Sequence, residues 1–406
     1  MAKYRLAIVI SHPVQYQSPL FRKLAAHPDI DLTVYYGTNY GATEQLDPGF
    51  GVRVRWDVPL LEGYNSVFLG NYSPVPHVPS SFLWVLNPGI ISALLKNRYD
   101  AVMVHGYNLA TSILAYIGAW LSGTPVLFRG ETVLRPNRPW WVRVVKRVFL
   151  KTLFWRTSAC LTIGSRSEEF YLHYGVPREK LFFTPYSVDN DFFRESNIRA
   201  RRTRKALKAR LGFADNAKLI LFAGKLIKKK RPLDLLRAYD EFLREEGRAN
   251  RRVGLVFVGD GILRNDLERY ARERNLHGVR FVGFVNQSKL PSYFAIADLF
   301  VLPSGPGEVS PLIINETMAS GLPIIVSDAV PSARDFVEDS KNGYLFQAGD
   351  IGRLSGLLRR LVNDSARLRA MGKCSQKKIS TWNYDACVDG FYRAIKFVAH
   401  KNEKHE

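Results

Sequence analysis

Apolar residues in this chain come in short unbroken runs. The first half holds "LAIVISHP", "DAVMVHGY", "TPVLFRGE" and "ACLTIGS". The second half holds "LILFAGK", "GLVFVGDG", "RFVGF", "LFVLPSG" and "PIIVSD". Helical patterns of about 10–20 residues separate most of them. Continuous Val, Ile and Leu runs that alternate with helices indicate parallel strands covered on both faces. The expected fold class is α/β, with doubly wound parallel sheets. Residues that do chemistry then collect at the carboxyl ends of the strands.

At 406 residues the chain is too long for one core, and two domains are expected. The boundary falls near Ser187–Asp191. After it comes "RESNIRARRTRKALKARLGFADN", with eight basic residues and one acidic between Arg194 and Arg210. That run is a solvated linker or the first helix of the second domain, and the solvated face is the preferred reading. The longest apolar region, "NLATSILAYIGAWLSGTPVLF", is interrupted by Asn108, Ser112, Gly118, Gly123 and Pro125. It reads as a crossover helix between strands, not as a membrane span.

Composition adds a charge. Lysine and arginine number 58 against 37 acidic residues, a formal net charge of +21. Such a field attracts nucleic acid, anionic lipid or phosphorylated small molecules. Three cysteines without metal-ligand spacing argue against a disulfide framework and structural zinc, and fit a reducing compartment. The start of the chain has too short an apolar run for a signal peptide.

The stretch "SGPGEVSPLIINETMASGLPIIVSD" carries two glutamates eight positions apart, Glu308 and Glu316. A helix is expected after the "LFVLPSG" strand, with Ser310 as N-cap, Pro311 at N1 and Gly321 as the stop. Glu308 then sits in the loop before the helix, and Glu316 between one and two turns into it. A helix N-terminus beside a strand end suits a phosphate. "LILFAGKLIKKKRP" places Lys225 and Lys230 after another strand, where they can neutralise a diphosphate. "GLVFVGDG" puts Gly259, Asp260 and Gly261 in a third strand-end turn.

In order and setting, these segments resemble the retaining glycosyltransferases of the GT-B fold, the large family with an E-x7-E motif. The resemblance covers nearly the whole chain and is strongest from Lys218 to Asp328. It implies two Rossmann-like domains facing a cleft. Residues 1–188 would bind the acceptor and 189–380 the nucleotide-sugar donor, while a helix in 381–406 crosses back and acts as a hinge. It implies that Glu308 contacts the donor sugar near the reacting carbon and that Glu316 holds the ribose. Amides at Ser310 and Leu312 would help bind the diphosphate, and Lys225 and Lys230 would stabilise the leaving group. Base recognition would lie near Phe284 in "FVGFV". With cations in that place, no metal and no cofactor is implied.

This sequence departs from the family pattern at several positions. Lys225 stands where arginine is frequent, so a point charge replaces a bidentate grip. Pro311 stands where glycine is frequent, and it has no N–H to offer the phosphate. The loop after the first strand has His12 and Gln15 in place of the family's glycine-bearing loop. His12 faces the cleft or caps the next helix. At the end of the second of two strand-end motifs the family's histidine is replaced by Arg129, which could bind an acidic acceptor. Glu131 could orient a hydroxyl, cap a helix or pair with Arg129. His105, ending the neighbouring strand, is a structural histidine or a catalytic cleft residue.

A basic aromatic helix is expected over residues 138–156. Trp141, Val144, Val145, Val148, Phe149 and Trp155 share one broad face, and Arg143, Lys146, Arg147 and Lys151 lie opposite. Trp140, Leu150 and Phe154 fall among the cations. The plain expectation buries the broad face in the core and leaves those three exposed, as in an interfacial helix docked on anionic lipid. That fits a glycan or lipid-linked acceptor and a cytoplasmic enzyme peripheral to the inner membrane face, making surface polysaccharide. Two other readings stay weaker. Nothing resembles a nucleic-acid module, so nucleic acid is not the expected partner. The non-hydrolysing sugar-nucleotide epimerases share the fold but lack the Glu-to-Glu motif.

Overall fold

A computed structural model describes residues 3–76, 81–134, 139–246 and 252–403. The chain divides into two compact units. The first comprises Met1–Glu44, Pro59–Tyr186 and Tyr384–Glu406; the second comprises Gln45–Val58 and Ser187–Asn383.

Among the described residues, fifteen strands form in chain order. They are β1 (Tyr4–Ile10), β2 (Ile30–Tyr36), β3 (Gln45–Asp47), β4 (Val52–Val54), β5 (Asn65–Phe68), β6 (Ala101–His105), β7 (Val126–Arg129) and β8 (Ala159–Thr162). They continue with β9 (Leu181–Phe183), β10 (Lys218–Ala223), β11 (Val253–Val258), β12 (Val279–Gly283), β13 (Leu299–Leu302), β14 (Ile324–Ser327) and β15 (Gly343–Phe346). The first unit holds a seven-stranded parallel sheet in the order β5-β2-β1-β6-β7-β8-β9. The second holds a six-stranded parallel sheet in the order β12-β11-β10-β13-β14-β15.

All nine apolar runs became strands, because a strand covered on both faces has no solvent side. In β1, Leu6, Ile8 and Ile10 enter one core cluster while Ala7 and Val9 enter another. The region "NLATSILAYIGAWL" forms the helix Ala110–Leu121. It packs against the helix Gly89–Asn97 so closely that a Cβ on Gly118 would come 3.0 Å from Ile91 Cα. Among the described residues, no helix is long and apolar enough to cross a membrane.

Two sequence expectations need correction. The basic run after the boundary is not a linker: it forms the helix Asn190–Ala200, a single 3-10 turn and the helix Arg204–Arg210. Lys208 is buried, and its ammonium donates to the main-chain oxygens of Asp215 and Ala217. Arg204 reaches Asp298 at 3.1 Å. Long cationic side chains bury their stems when the head group finds acceptors, and a charge count cannot register that. Second, Gln45–Val58 lies within the 1–188 range but clusters with the second unit. It is an antiparallel hairpin of β3 and β4.

The last helix, Tyr384–Glu403, lies in the core of the first unit. Its Tyr384, Cys387, Phe391, Ala394, Ile395 and Val398 are buried there. Tyr384 donates to Tyr16 O at 2.8 Å, and Lys23 pairs with Asp385 at 2.6 Å.

Candidate active site

Strand β10 ends at Ala223, and Gly224 follows with φ +146°. Lys228–Lys230 then make one 3-10 turn before the helix Pro232–Glu246. Beside it, β13 runs into the loop carrying Glu308. The Gly305 N–H donates to Lys229 O at 2.8 Å and joins the two segments. The result is an ion pair between Lys230 Nζ and Glu308 Oε1, with side chains 13 % and 10 % exposed. Burial drives the lysine's pKa down, with Glu308 opposing and the Lys229 and Lys225 charges adding to the fall. Glu308 Oε2 is buried and accepts no hydrogen bond. An acceptor left open in a buried carboxylate is costly unless something supplies a donor.

Glu316 occupies the first turn of the short helix Ile313–Ala319, whose N-cap is Leu312 with no side-chain cap bond. Ser310 is therefore not the N-cap, and Pro311 stands outside the helix. Gly321, at φ +80°, does follow its end. Glu316 is partly buried, and burial pushes its carboxyl from 4.5 up to about 8 while the Lys230 charge pulls it down. The two glutamates thus differ in kind: one is held as an ion pair, the other favours its neutral form at neutral pH.

The turn after β11 packs against the lysine segment through main chain. A Cβ on Gly259 would lie 2.0 Å from Gly224 O, so only glycine fits. Asp260 is occupied locally: it accepts from Arg264 at 2.7 Å and from the Gly261 N–H at 2.9 Å. Lys225 is also occupied, by Asp47 of the hairpin at 2.8 and 3.0 Å. Phe284 meets the Phe50 ring at 4.9 Å and the Trp56 ring at 6.3 Å. Asp47, Phe50 and Trp56 were missed in the sequence. Their one signal is the turn-forming "DPGFG" between two short strand-like triplets, distant in sequence from Lys225 and Phe284.

In the first unit, His105 and Arg129 are register partners at the ends of β6 and β7. Arg129 is buried at 2 % exposure. It donates to Thr184 O at 3.0 Å, Pro185 O at 3.3 Å and Cys387 Sγ at 3.5 Å, and lies over the Tyr186 ring at 4.9 Å. The expectation that it binds an acceptor is thereby overturned: the guanidinium clamps the last helix to the sheet. His105 Nε2 meets the Tyr186 hydroxyl at 3.3 Å, and its Nδ1 is buried without a partner. Burial, with the Arg129 and His12 charges, lowers its pKa to about 3, so the ring is neutral. His12 does not cap the next helix, whose N-cap is Gln17. Its ring sits 5.4 Å from both Tyr40 and Trp84, and burial lowers its pKa to about 4. Gln15 lies in the turn before that helix, and Glu131 is exposed just after β7.

The sequence also holds two Asp-x-Asp triplets, and both have structural duties. Asp29 accepts from Tyr392, and Asp189 caps the helix Asn190–Ala200. Among the described residues, no group of three or more His, Cys, Asp or Glu could hold a metal ion.

The basic aromatic helix forms over Trp140–Trp155, with Arg138 outside the described residues. Apart from Trp140, which is exposed as expected, its orientation is the reverse of the expected one. Leu150, Leu153 and Phe154 are buried, and Phe154 packs on Phe128, Phe170 and Tyr171. Trp140 and Trp155 are each 75 % exposed, and Trp141, Val144, Val145, Val148 and Phe149 are exposed too. Helical spacing identified the two faces; the aromatic pocket beneath the helix decided which one turned inward.

Comparison with known proteins follows these residues. Residues 203–378, which include both glutamates and both lysines, match the family model described as Glycosyl transferases group 1. The chain is 31 % identical over 320 residues to a D-inositol 3-phosphate glycosyltransferase of Streptomyces avermitilis, across 74 % of this chain and 66 % of that protein. It thus spans just under two thirds of that relative's length. It is 28 % identical over 306 residues to the Escherichia coli UDP-Gal:alpha-D-GlcNAc-diphosphoundecaprenol alpha-1,3-galactosyltransferase, across 73 % of this chain and 75 % of that one. The Anabaena protein HepE, solved in complex with UDP, matches with a TM-score of 0.72 at 17 % identity, over 97 % of this chain and 99 % of that one. That last likeness is one of fold.

Proposed function

The chain belongs, through residues 203–378, to the glycosyl transferases group 1 family, and on that premise we propose that it is a retaining glycosyltransferase. It moves a sugar from a nucleoside diphosphate to a hydroxyl acceptor. The observation that carries this reading is the Lys230–Glu308 pair, a buried cation beside a carboxylate oxygen with no donor of its own. In this role Glu308 Oε2 accepts from a hydroxyl of the donor sugar near the reacting carbon. Glu316 holds the ribose. Amides at Ser310 and Leu312, with Lys225 and Lys230, receive the diphosphate. Fixed charge at the leaving group lowers the barrier because it needs no reorganisation as the bond breaks. The departing phosphate takes the acceptor's proton, so no strong side-chain base is required. The lysines supply the positive charge, and the reaction runs without a metal ion.

The direct test is thermal stabilisation by UDP, GDP and dTDP. One of them is expected to raise the melting temperature of the wild type, with the rise abolished in Glu316→Ala. Stabilisation by none of the three would overturn the reading.

The acceptor proposed is a lipid-linked or surface glycan at the inner membrane face, a chemistry that the name of the E. coli relative also carries. The exposed row Trp141, Val145 and Val148 supports this, since it brings aromatic and branched side chains to solvent on a helix whose Arg143 and Arg147 are exposed as well. Changing all three to serine should lower partition onto phosphatidylglycerol vesicles more than tenfold, from about 1.5 kcal/mol or more per large side chain. The melting temperature should hold. Equal partition would remove the membrane from the proposal. Serine at Leu150 and Phe154 should instead unfold the protein, because both are core residues.

A further inference from the structure

The hairpin Gln45–Val58 belongs to the second unit by its packing, yet the residues on either side of it belong to the first. Its strands have three residues each. A two-stranded ribbon of that length does not hold itself in water, so its place depends on what it touches. At its tip Asp47 Oδ1 accepts from the Gly49 and Phe50 N–H groups at 2.8 and 3.0 Å. The same carboxylate takes both short contacts to Lys225 Nζ. The lysine stem lies on Gly49, where a Cβ would come 2.7 Å from Nζ. The Phe50 ring covers the ammonium at 4.9 Å. Farther along, Trp56 and Phe50 close on Phe284, Asn286 donates to Arg55 O, and the Ser288 hydroxyl donates to Asp57.

The contacts to Lys225 and Phe284 take groups that the proposed donor site needs. Lys225 is assigned to the diphosphate and Phe284 to the base. An acidic oxygen pair stands on the first, and aromatic rings stand on the second. We propose that the hairpin is a resident competitor for the donor: Asp47 occupies Lys225 as a phosphate would, and donor binding requires its release. This rests on the donor-site reading above. A contrast within the site supports it. Lys230 is paired with Glu308 deep in the second unit, whereas Lys225 is paired with a residue 178 positions away on a marginal ribbon. The Asp47 and Lys225 side chains are 18 % and 34 % exposed, so the latch is a partly solvated ion pair, which is weak enough to open.

Asp47→Asn isolates the charge, because the asparagine oxygen still accepts the two N–H groups of the turn. Calorimetric titration uses the nucleoside diphosphate that best protects the wild type among UDP, GDP and dTDP. If the closed form is the dominant one, the variant should bind it about tenfold tighter, since the competent fraction rises. The melting temperature should be unchanged. In a Lys225→Met background the same Asp47→Asn change should have no effect, because the lysine carries the competition. Equal or weaker binding by Asp47→Asn, or a gain that persists without Lys225, would overturn the proposal while leaving the donor site standing. Absence of nucleoside diphosphate binding in both wild type and Asp47→Asn would remove the donor-site reading, and this proposal with it.

Discussion

Lys230→Met is expected to lower kcat by about 10²–10³, the range seen when one fixed charge-stabilising donor is lost from an active site. The side chain is 13 % exposed and paired with Glu308, so its charge acts where water screens little. The change also leaves Glu308 buried without its cation, which should cost stability. Stability loss alone could imitate a catalytic defect, so the informative partner is Lys230→Met with Glu308→Gln. The double variant removes both charges and should recover most of the melting temperature. It should not recover turnover. Recovery of turnover with stability would mean that the pair is architectural, and the proposed leaving-group role would fall. Single-turnover rates measured at saturating donor make the comparison free of binding effects.

Arg129→Met should lower the free energy of unfolding by about 3 kcal/mol, roughly the cost of orphaning buried polar groups. The guanidinium donates to two main-chain oxygens, at Thr184 and Pro185, and lies between the Tyr186 and Phe391 rings. Methionine fills part of the volume but offers those oxygens no donor. Chemical denaturation reads the loss directly. An acceptor-binding arginine would behave differently, with KM for the acceptor rising and stability unmoved. The buried geometry predicts the reverse pattern.

The strand–helix rhythm was legible because strands buried on both faces cannot hide their apolar runs. Strands β2, β5, β9 and β15 were less so. β5 is a sheet edge with three of its four residues exposed, and β2 carries Asp31 and Thr33 among its apolar positions. The Lys230–Glu308 pair was legible as two segments, since each follows a strand end of one sheet. That they would touch follows from β10 and β13 being neighbours in that sheet. Asp47 was not legible. A contact across 178 positions leaves no spacing to read.

By itself, the sequence determined the two parallel sheets, the strand-end residues and the family motifs, because periodicity and local turn chemistry operate over a few residues. The tertiary structure alone decided which face of the helix Trp140–Trp155 is wet, that Arg129 is a clamp, and that Lys225 already holds a carboxylate. Each of those outcomes depends on which distant groups share a desolvated space. Burial and pairing set the energy of a charge, and neither is a property of the residue's neighbours in the chain.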